Sequence, residues 1–230
     1  MAAAGFPSSS RSLGGVTRVK MCGVSDPADA RRVADLEAWA LGMIFWPQSP
    51  RACTLETGEQ IGAELQRRLE LVGVFVNATL DEIAYAVDRC NLSMVQLHGD
   101  EGPAYCREVA RRTGAKVMKA VRVRDAAQLH DLQRFHTDFH LLDAYSPESP
   151  GGTGESFDWE LARKHSSGPP VVLSGGLTAE NVGTAIEVAR PFAVDVASGT
   201  EAAPGRKDPA KLEAFMRAVE AADARLGAVA

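Results

Sequence analysis

The sequence predicts an α/β protein in which eight strands alternate with helices and close into a single (β/α)8 barrel. Three observations support this fold. Eight apolar, β-rich runs recur at intervals of 21–32 residues, so each step has room for a strand, a helix and two short loops. Most of the intervening segments have helical spacing and capping residues. The glycine-rich turns follow the last three strands, whereas an open doubly wound sheet usually has its glycine motif after the first.

The eight strands are short apolar runs bounded by turn residues, a pattern typical of parallel strands that are buried on both faces. The runs start at Val16, Ala40, Leu71, Met94, Lys116, Phe139, Val171 and Phe192. The helices between them begin at caps. Asp26 is a predicted N-cap with Pro27 at the first helical position, and Thr79 with Glu82 has the spacing of a capping box.

Composition limits the class of protein. The chain has 230 residues, of which 45% are hydrophobic, enough for one large core. A formal net charge of −5, with no block of Lys and Arg, argues against binding to nucleic acid. No apolar run approaches the roughly 18 residues that span a bilayer. We expect residues 1–15 to be a disordered tail and residues 16–230 to form the barrel domain.

The four cysteines, Cys22, Cys53, Cys90 and Cys106, show neither a CxxC pair nor the spacing of metal ligands. Since the chain also shows no secretion signal, free thiols in a reducing cytoplasm are expected. No metal site is predicted, because the polar residues at the strand ends lie on separate strands with no local ligand pair.

Three glycine-rich turns predict a phosphate site. They occupy residues 151–154, 174–177 and 197–201, each after a predicted strand. Glycine lets the backbone approach a ligand closely, so that amide groups can converge on its oxygens, although a single such turn is often only structural. In many barrels the turns after strands seven and eight bind phosphate. The predicted phosphate-binding residues are Gly152, Thr153, Gly154, Gly175, Gly176, Ser198 and Gly199.

Five reactive side chains lie at or just after strand ends, where a barrel brings residues distant in sequence to one rim. They are Cys22, Arg51, His98, Asp143 and Asp195. Each also has a structural interpretation: a small buried thiol, a solvated loop cation, a hydrogen-bonded imidazole, or a carboxylate with a buried partner. Asp143 and Asp195 are the hardest to explain structurally, because apolar runs lead into them.

The motifs VKMCGVSDPADA, FWPQSPRACT, VGVFVN, VQLHGDE, LLDAYSPESPGGTGESFDW, LSGGLTAENV and VDVASGTE occur in this order between about Val16 and Arg217. Together they resemble the phosphoribosylanthranilate isomerase family of tryptophan biosynthesis. The resemblance implies an Amadori rearrangement of N-(5-phosphoribosyl)anthranilate without metal or organic cofactor. The family includes monomers, so a monomer is expected, with a homodimer as the alternative. Charge and hydropathy, as above, predict no nucleic-acid or membrane partner.

By position in these motifs, the resemblance implies that Cys22 is the general base and Asp143 the general acid. Arg51, His98 and Asp195 would contact or line the substrate. The chemistry suits these residue types. Ring opening needs a proton on the furanose oxygen, and burial beside anionic groups can keep a carboxyl protonated. A thiol is partly ionised at neutral pH, more so beside a positive charge, and can then take a carbon-bound proton.

Three other interpretations compete. The histidine-pathway isomerase, or a bifunctional relative, uses paired aspartates, whereas the first strand here ends in Cys22. Indole-glycerol phosphate synthase would need Lys and Glu at strand ends. A non-catalytic phosphate-binding barrel would be expected to lack the acid or the base. The sequence departs from the family pattern at Trp39, which we expect to affect stability, and in a longer loop after Asp143.

Overall fold

The computed structural model describes residues 16–123, 126–143, 159–165 and 168–228. The predicted tail, residues 1–15, lies outside them. So do Gly152, Thr153 and Gly154 of the first predicted phosphate turn.

The predicted barrel is confirmed. Eight parallel strands form a closed ring in sequence order, with the eighth paired to the first. The strands are β1 (Arg18–Cys22), β2 (Ala40–Ile44), β3 (Glu70–Phe75), β4 (Met94–Leu97), β5 (Lys116–Arg122), β6 (Phe139–Asp143), β7 (Val171–Ser174) and β8 (Ala193–Val196). Every predicted run overlaps one of them, and the ends differ by at most two residues.

Helices alternate with the strands. They are α1 (Pro27–Asp35), α2 (Leu55–Leu65), α3 (Leu80–Arg89), α4 (Pro103–Thr113), α5 (Ala126–Leu132), α6 (Trp159–Lys164), α7 (Val182–Ala189) and α8 (Pro209–Gly227). The link from β8 to α8 holds two features that the sequence analysis did not identify. These are a 3₁₀ turn (Ser198–Thr200) and a small hairpin of β9 (Glu201–Ala203) and β10 (Arg206–Lys207).

The predicted caps are confirmed. Asp26 accepts hydrogen bonds from the first-turn amides of α1. Pro27 has no amide hydrogen, which is tolerated because an amide at the first helical position would have no partner within the helix. Thr79 and Glu82 form the reciprocal capping box of α3. These local contacts fix where each helix starts, and therefore how long each loop at the rim can be.

Two hydrophobic clusters pack on opposite faces of the sheet. The outer cluster lies between strands and helices, while a smaller inner cluster fills the base of the barrel. Trp39 lies at this base, with its ring 5.4 Å from those of Phe139 and Phe192. The aromatic group closes the amino-terminal end, far from the reactive residues, as expected for Trp39. In the described part of the chain, no helix is long and apolar enough to cross a membrane.

Candidate active site

Cys22 ends β1 on the inner face of the barrel, and the next inward residue below it is Lys20. The Lys20 side chain is fully buried, and its ammonium group lies close enough to the Cys22 sulfur for its charge to lower the pKa of the thiol. Gly42 on β2 provides the space for both, because a Cβ there would lie 2.8 Å from Cys22 Sγ and 3.1 Å from Lys20 Nζ. The absence of a side chain at residue 42 therefore allows the thiol and the ammonium group to meet.

Asp195 on β8 is the anionic partner of this ammonium group. Its Oδ1 lies 2.7 Å from Lys20 Nζ, and its Oδ2 accepts a hydrogen bond of 3.1 Å from the Ser174 hydroxyl. The two residues face each other because β1 and β8 pair with Lys20 opposite Asp195. A buried pair of this kind is strongly destabilised when one partner is removed, since the other is left as an uncompensated charge. The carboxylate in an apolar strand is thus explained by a lysine that the sequence analysis did not single out.

The pKa of Cys22 differs from expectation. Burial raises the pKa of the thiol above its usual value, and Lys20 only partly offsets this. The predicted positive charge is present, but desolvation of the thiolate outweighs it, so the resting thiol is less ionised at neutral pH than expected. For Lys20, burial opposes ionisation, yet the pair with Asp195 raises its pKa, so the lysine stays charged beside the sulfur.

Arg51 lies next to Cys22 in space. Gly23, with a φ of +72°, lets the Arg51 side chain lie against the backbone, because a Cβ there would be 2.7 Å from Arg51 Cδ. The guanidinium group binds Glu201 with two hydrogen bonds of 2.8 Å, from Nε and from NH2. This bidentate pair holds Arg51 at the rim with about a quarter of its side chain exposed.

Lys207 joins the end of β1 to the turn after β8. Its buried ammonium group donates to the carbonyl oxygens of Cys22 (2.7 Å) and Ala197 (2.9 Å) and to the Thr200 hydroxyl (3.1 Å). Burial lowers the pKa of Lys207, although Glu201 nearby opposes this. The contact to the Cys22 carbonyl fixes the backbone that carries the thiol.

His98 and Asp143 meet on another side of the rim. His98 follows β4 and Asp143 ends β6, and His98 Nε2 lies 3.5 Å from Asp143 Oδ2. The other ring nitrogen, Nδ1, is 3.0 Å from the side-chain nitrogen of Gln96. Both His98 and Asp143 keep part of their side chains exposed, so a ligand in the barrel mouth could reach them. The structure therefore brings together this pair, and separately Cys22, Arg51 and Asp195.

The loop that follows His98 rests on a second buried ion pair. Glu101 accepts hydrogen bonds from the backbone amides of Asn77 (2.8 Å) and Gly99 (2.9 Å), and it pairs with Lys119 at 2.8 Å. Lys119 lies between the inward residues Met118 and Ala120 on β5, so it faces the outside of the sheet. This pair supports the loop from behind the barrel wall.

The turns after β7 and β8, which the sequence predicts to bind phosphate, contain glycines that their backbone geometry requires. Gly175 and Gly176 have positive φ values of 100° and 62°, a conformation that favours glycine. Gly199 packs against the neighbouring turn so closely that a Cβ would lie 2.1 Å from the Leu177 carbonyl oxygen. Ser198, which precedes it, is exposed. The two turns are therefore fitted to each other.

A cavity of about 420 Å³ lies between these two turns and α8. Ser198 and Gly199 line it, but so do Glu180 and Lys211, and it contains neither Cys22 nor Asp143. The charged groups of this outer cavity are thus one carboxylate and one ammonium group. The candidate acid–base side chains, Cys22 and Asp143, lie instead at the mouth of the barrel.

The sequence analysis did not identify four residues that shape the site: Lys20, Gln96, Glu201 and Lys207. A signal existed for two of them. Strand residues alternate between faces, so Lys20 shares a face with Cys22, and Gln96 shares one with His98. Glu201 and Lys207 lie in the unpredicted hairpin, and nothing local indicates their partners.

Fold and rim together define a class: a (β/α)8-barrel enzyme with acid–base side chains at the carboxyl ends of its strands. Residues 19–218 match the family model of N-(5'phosphoribosyl)anthranilate (PRA) isomerase. The N-(5'-phosphoribosyl)anthranilate isomerase of Citrifermentans bemidjiense is 47% identical over 197 residues, which cover 86% of this chain and 94% of that protein. The chain belongs to the phosphoribosylanthranilate isomerase family.

Solved structures agree with this assignment. One is a crystal structure of monomers generated from the dimeric phosphoribosylanthranilate isomerase of Thermotoga maritima, with a TM-score of 0.78 and 37% identity. Another phosphoribosyl anthranilate isomerase, in complex with reduced 1-(o-carboxyphenylamino)-1-deoxyribulose 5-phosphate, has a TM-score of 0.77 and 37% identity. In both cases the match covers 89% of this chain and 99% of the other.

Proposed function

We propose that this chain isomerises N-(5-phosphoribosyl)anthranilate to 1-(2-carboxyphenylamino)-1-deoxyribulose 5-phosphate. The observation that carries the proposal is the arrangement at one rim, where the ammonium group of Lys20 and the Cys22 sulfur both lie against Gly42 and the imidazole of His98 lies beside the Asp143 carboxyl. Membership of the family supports the same reaction. So does the relative solved with a reduced form of the product.

In the proposed mechanism, Asp143 gives its proton to the ring oxygen of the ribose. The bond from this oxygen to C1′ breaks while the anthranilate nitrogen forms a double bond to C1′. Cys22, ionised beside Lys20, then removes the C2′ proton, and the electrons form an enolamine. Ketonisation completes the reaction, because C1′ takes up one proton as the C2′ hydroxyl releases another. No proton is gained or lost overall.

Electrostatics support the role of Cys22 as base. The raised pKa means that the resting thiol holds its proton, so the thiolate has to be stabilised by the adjacent Lys20 cation. Asp195 keeps Lys20 charged and in place. A strong base with a high pKa suits the removal of a carbon-bound proton, provided that the thiolate can form in the closed site.

We propose that the turns after β7 and β8 bind the phosphate group, together with residues 151–154. The left-handed Gly175 and Gly176 and the tightly packed Gly199 support this, since such backbone lets amide groups point at one anion. Arg51, which Glu201 holds near Cys22, would bind the carboxylate of the anthranilate ring, for which a guanidinium group is suited.

We also propose that the enzyme is a cytoplasmic monomer. All four cysteines are free and buried, as is usual in a reducing compartment. A homodimer is the alternative, because a related enzyme is described as dimeric. Light scattering across a range of protein concentrations tests the oligomeric state, and a mass near that of one chain is expected.

The decisive experiment is an assay that follows the loss of fluorescence of the anthranilate adduct. Cys22→Ala and Asp143→Asn are each expected to lower kcat by about 10²–10⁴-fold, the usual effect of removing a positioned acid or base. Cys106→Ala, a buried thiol in α4, is the matched control and should keep near-normal turnover. Full activity in both site variants would refute the assigned roles, and an inactive, folded wild type would indicate a non-catalytic barrel.

A further inference from the structure

Gln96 is a buried amide inside the barrel whose presence the fold does not explain. It lies on β4 between Met94, which packs in the inner cluster, and His98 at the rim, and all three face inward. The residue is 1% exposed, and its side-chain oxygen accepts no hydrogen bond from the described part of the chain. Buried polar atoms without a partner are uncommon, and an apolar residue would fill this space without one.

The amide nitrogen of Gln96 has a clear contact. It lies 3.0 Å from His98 Nδ1. An amide nitrogen can only donate, so Nδ1 must accept, and the neutral ring then carries its proton on Nε2. Nε2 is the atom that faces Asp143 Oδ2 at 3.5 Å, a separation that would have to shorten slightly to make a hydrogen bond.

We propose that Gln96 is a positioning residue for the acid step, fixing His98 as the Nε2–H tautomer and thereby holding Asp143. His98 then donates to Oδ2 of the carboxyl group. With Oδ2 held in this way, the carboxyl group is oriented to give its proton to the substrate. This inference rests on the proposed function, and it assigns to the amide a role in which it touches no reacting atom.

Two substitutions separate positioning from structure. Gln96→Met keeps the length of the side chain and removes the donor, so the ring of His98 loses its fixed tautomer. Gln96→Glu puts an acceptor at Nδ1, which then requires a proton there and reverses the tautomer. Met94→Leu is the matched control, because Met94 is buried on the same face of the same strand, in the inner cluster at the base of the barrel.

The tautomer is measured from the ¹⁵N chemical shifts of the His98 ring, assigned by their loss in a His98→Asn variant. The wild type should show a protonated Nε2 and an accepting Nδ1. Gln96→Met should show a mixture of tautomers, and Gln96→Glu a protonated Nδ1. We expect kcat to fall by about 10–100-fold, as for the partners that orient metal-bound histidines, with a smaller change in KM.

These outcomes decide the question. The inference is overturned if Gln96→Met keeps kcat within about twofold of the wild type. It is also overturned if kcat falls while the His98 tautomer stays the same, because the effect is then structural. If Gln96→Glu does not fold, the Met variant alone decides. If the wild type shows no turnover, the proposed function fails, and the chemical shifts still determine whether Gln96 sets the tautomer of His98.

Discussion

The two sides of the barrel mouth are built from different interactions. On the side of Cys22, the proposed base, an ion pair lies inside the barrel, where the Lys20 ammonium group binds Asp195 and lies near the sulfur. On the side of Asp143, the proposed acid, the ion pair of Lys119 and Glu101 lies behind the sheet. There the Asp143 carboxyl group faces the imidazole of His98 inside the barrel.

This difference matches the proposed chemistry. A cation beside a thiol favours the thiolate, which is the form that acts as a base. A neutral imidazole can orient a carboxyl group without imposing a full positive charge on it. The position of each lysine relative to the sheet thus decides which side of the site is tuned by charge and which by hydrogen-bond geometry.

Among variants that test the difference between the two sides, the largest effect is expected for Lys20→Met. This variant removes the cation next to Cys22 and leaves Asp195 buried without its charged partner. We expect kcat to fall by about 10²–10³-fold, as when a preorganised electrostatic contact is lost. The free energy of unfolding should fall by about 3–5 kcal/mol. Steady-state kinetics and urea denaturation measure the two effects.

A control for Lys20→Met uses the other ion pair. Lys119→Met also breaks a buried pair, but one outside the barrel, so it should lower stability with a much smaller effect on kcat. Equal losses of kcat in the two variants would contradict the distinction between the two sides. Replacing Lys20 and Asp195 together by apolar residues should recover stability and leave activity low, since a buried ion pair often exchanges for apolar contacts without loss.

Gly42→Ala should have the next largest effect. The new methyl group would lie 2.8 Å from Cys22 Sγ and 3.1 Å from Lys20 Nζ, so one or both must move. Small displacements of reacting groups reduce turnover by about 10²-fold, and we expect a loss of kcat of that order. Gly227→Ala, in α8 where a Cβ would meet nothing within 4 Å, is the control. Unchanged kinetics in Gly42→Ala would show that the thiol does not depend on this spacing.

The pH dependence of kcat/KM tests the base side directly. Because burial raises the pKa of Cys22 above the ordinary value of 9.0, the thiolate fraction should still increase at alkaline pH. In an Asp143→Asn background, where only the base titrates, we expect kcat/KM to rise about tenfold per pH unit below that raised pKa, since this ratio reports the ionisation of the free enzyme. Lys20→Met should move the rise to still higher pH. A plateau reached well below pH 9 would argue against this behaviour of Cys22.

A smaller effect concerns the outer face of β6, the strand that carries Asp143. His140 Nδ1 and His165 Nε2 lie 2.8 Å apart, and burial lowers the pKa of His140 to about 4. In the unfolded chain the pKa of a histidine is near its ordinary value of 6.5. Between pH 4 and pH 6.5 the unfolded state therefore binds more protons than the folded state. The free energy of unfolding should therefore be highest above pH 6.5. It should fall by about 1 kcal/mol per pH unit as the pH drops towards 4.

Thermal unfolding between pH 7 and pH 4 measures this loss. His140→Phe should flatten the dependence, because it removes the group that the unfolded state protonates. His136→Gln replaces an exposed histidine and should leave the pH dependence of stability unchanged. If the two variants respond alike to acid, the buried pair is not the source of the acid sensitivity.

The fold could be predicted because its determinants are local. Each buried parallel strand is a short apolar run, and the caps at Asp26 and Thr79 mark helix starts within a few residues of sequence. Even Trp39 could be assigned to the stabilising base of the barrel, since it directly precedes the second strand. Such signals do not depend on how distant strands meet.

The site was less predictable because its contacts join residues distant in sequence. Cys22, Asp143 and His98 could be identified at strand ends, but the partner of Asp195 is 175 residues away and the anchor of Arg51 is 150 residues away. The ionisation of Cys22 was misjudged for the same reason. Whether burial or a neighbouring cation dominates depends on the depth of the thiol, which sequence spacing does not reveal.

The contact between Gly199 and the Leu177 carbonyl has a consequence for engineering. Because no Cβ fits there, the segments after β7 and β8 constitute one interlocked piece of backbone. Anyone transplanting loops to alter ligand preference in this scaffold should exchange both segments as a single cassette, since a chimera containing only one would bring mismatched halves together.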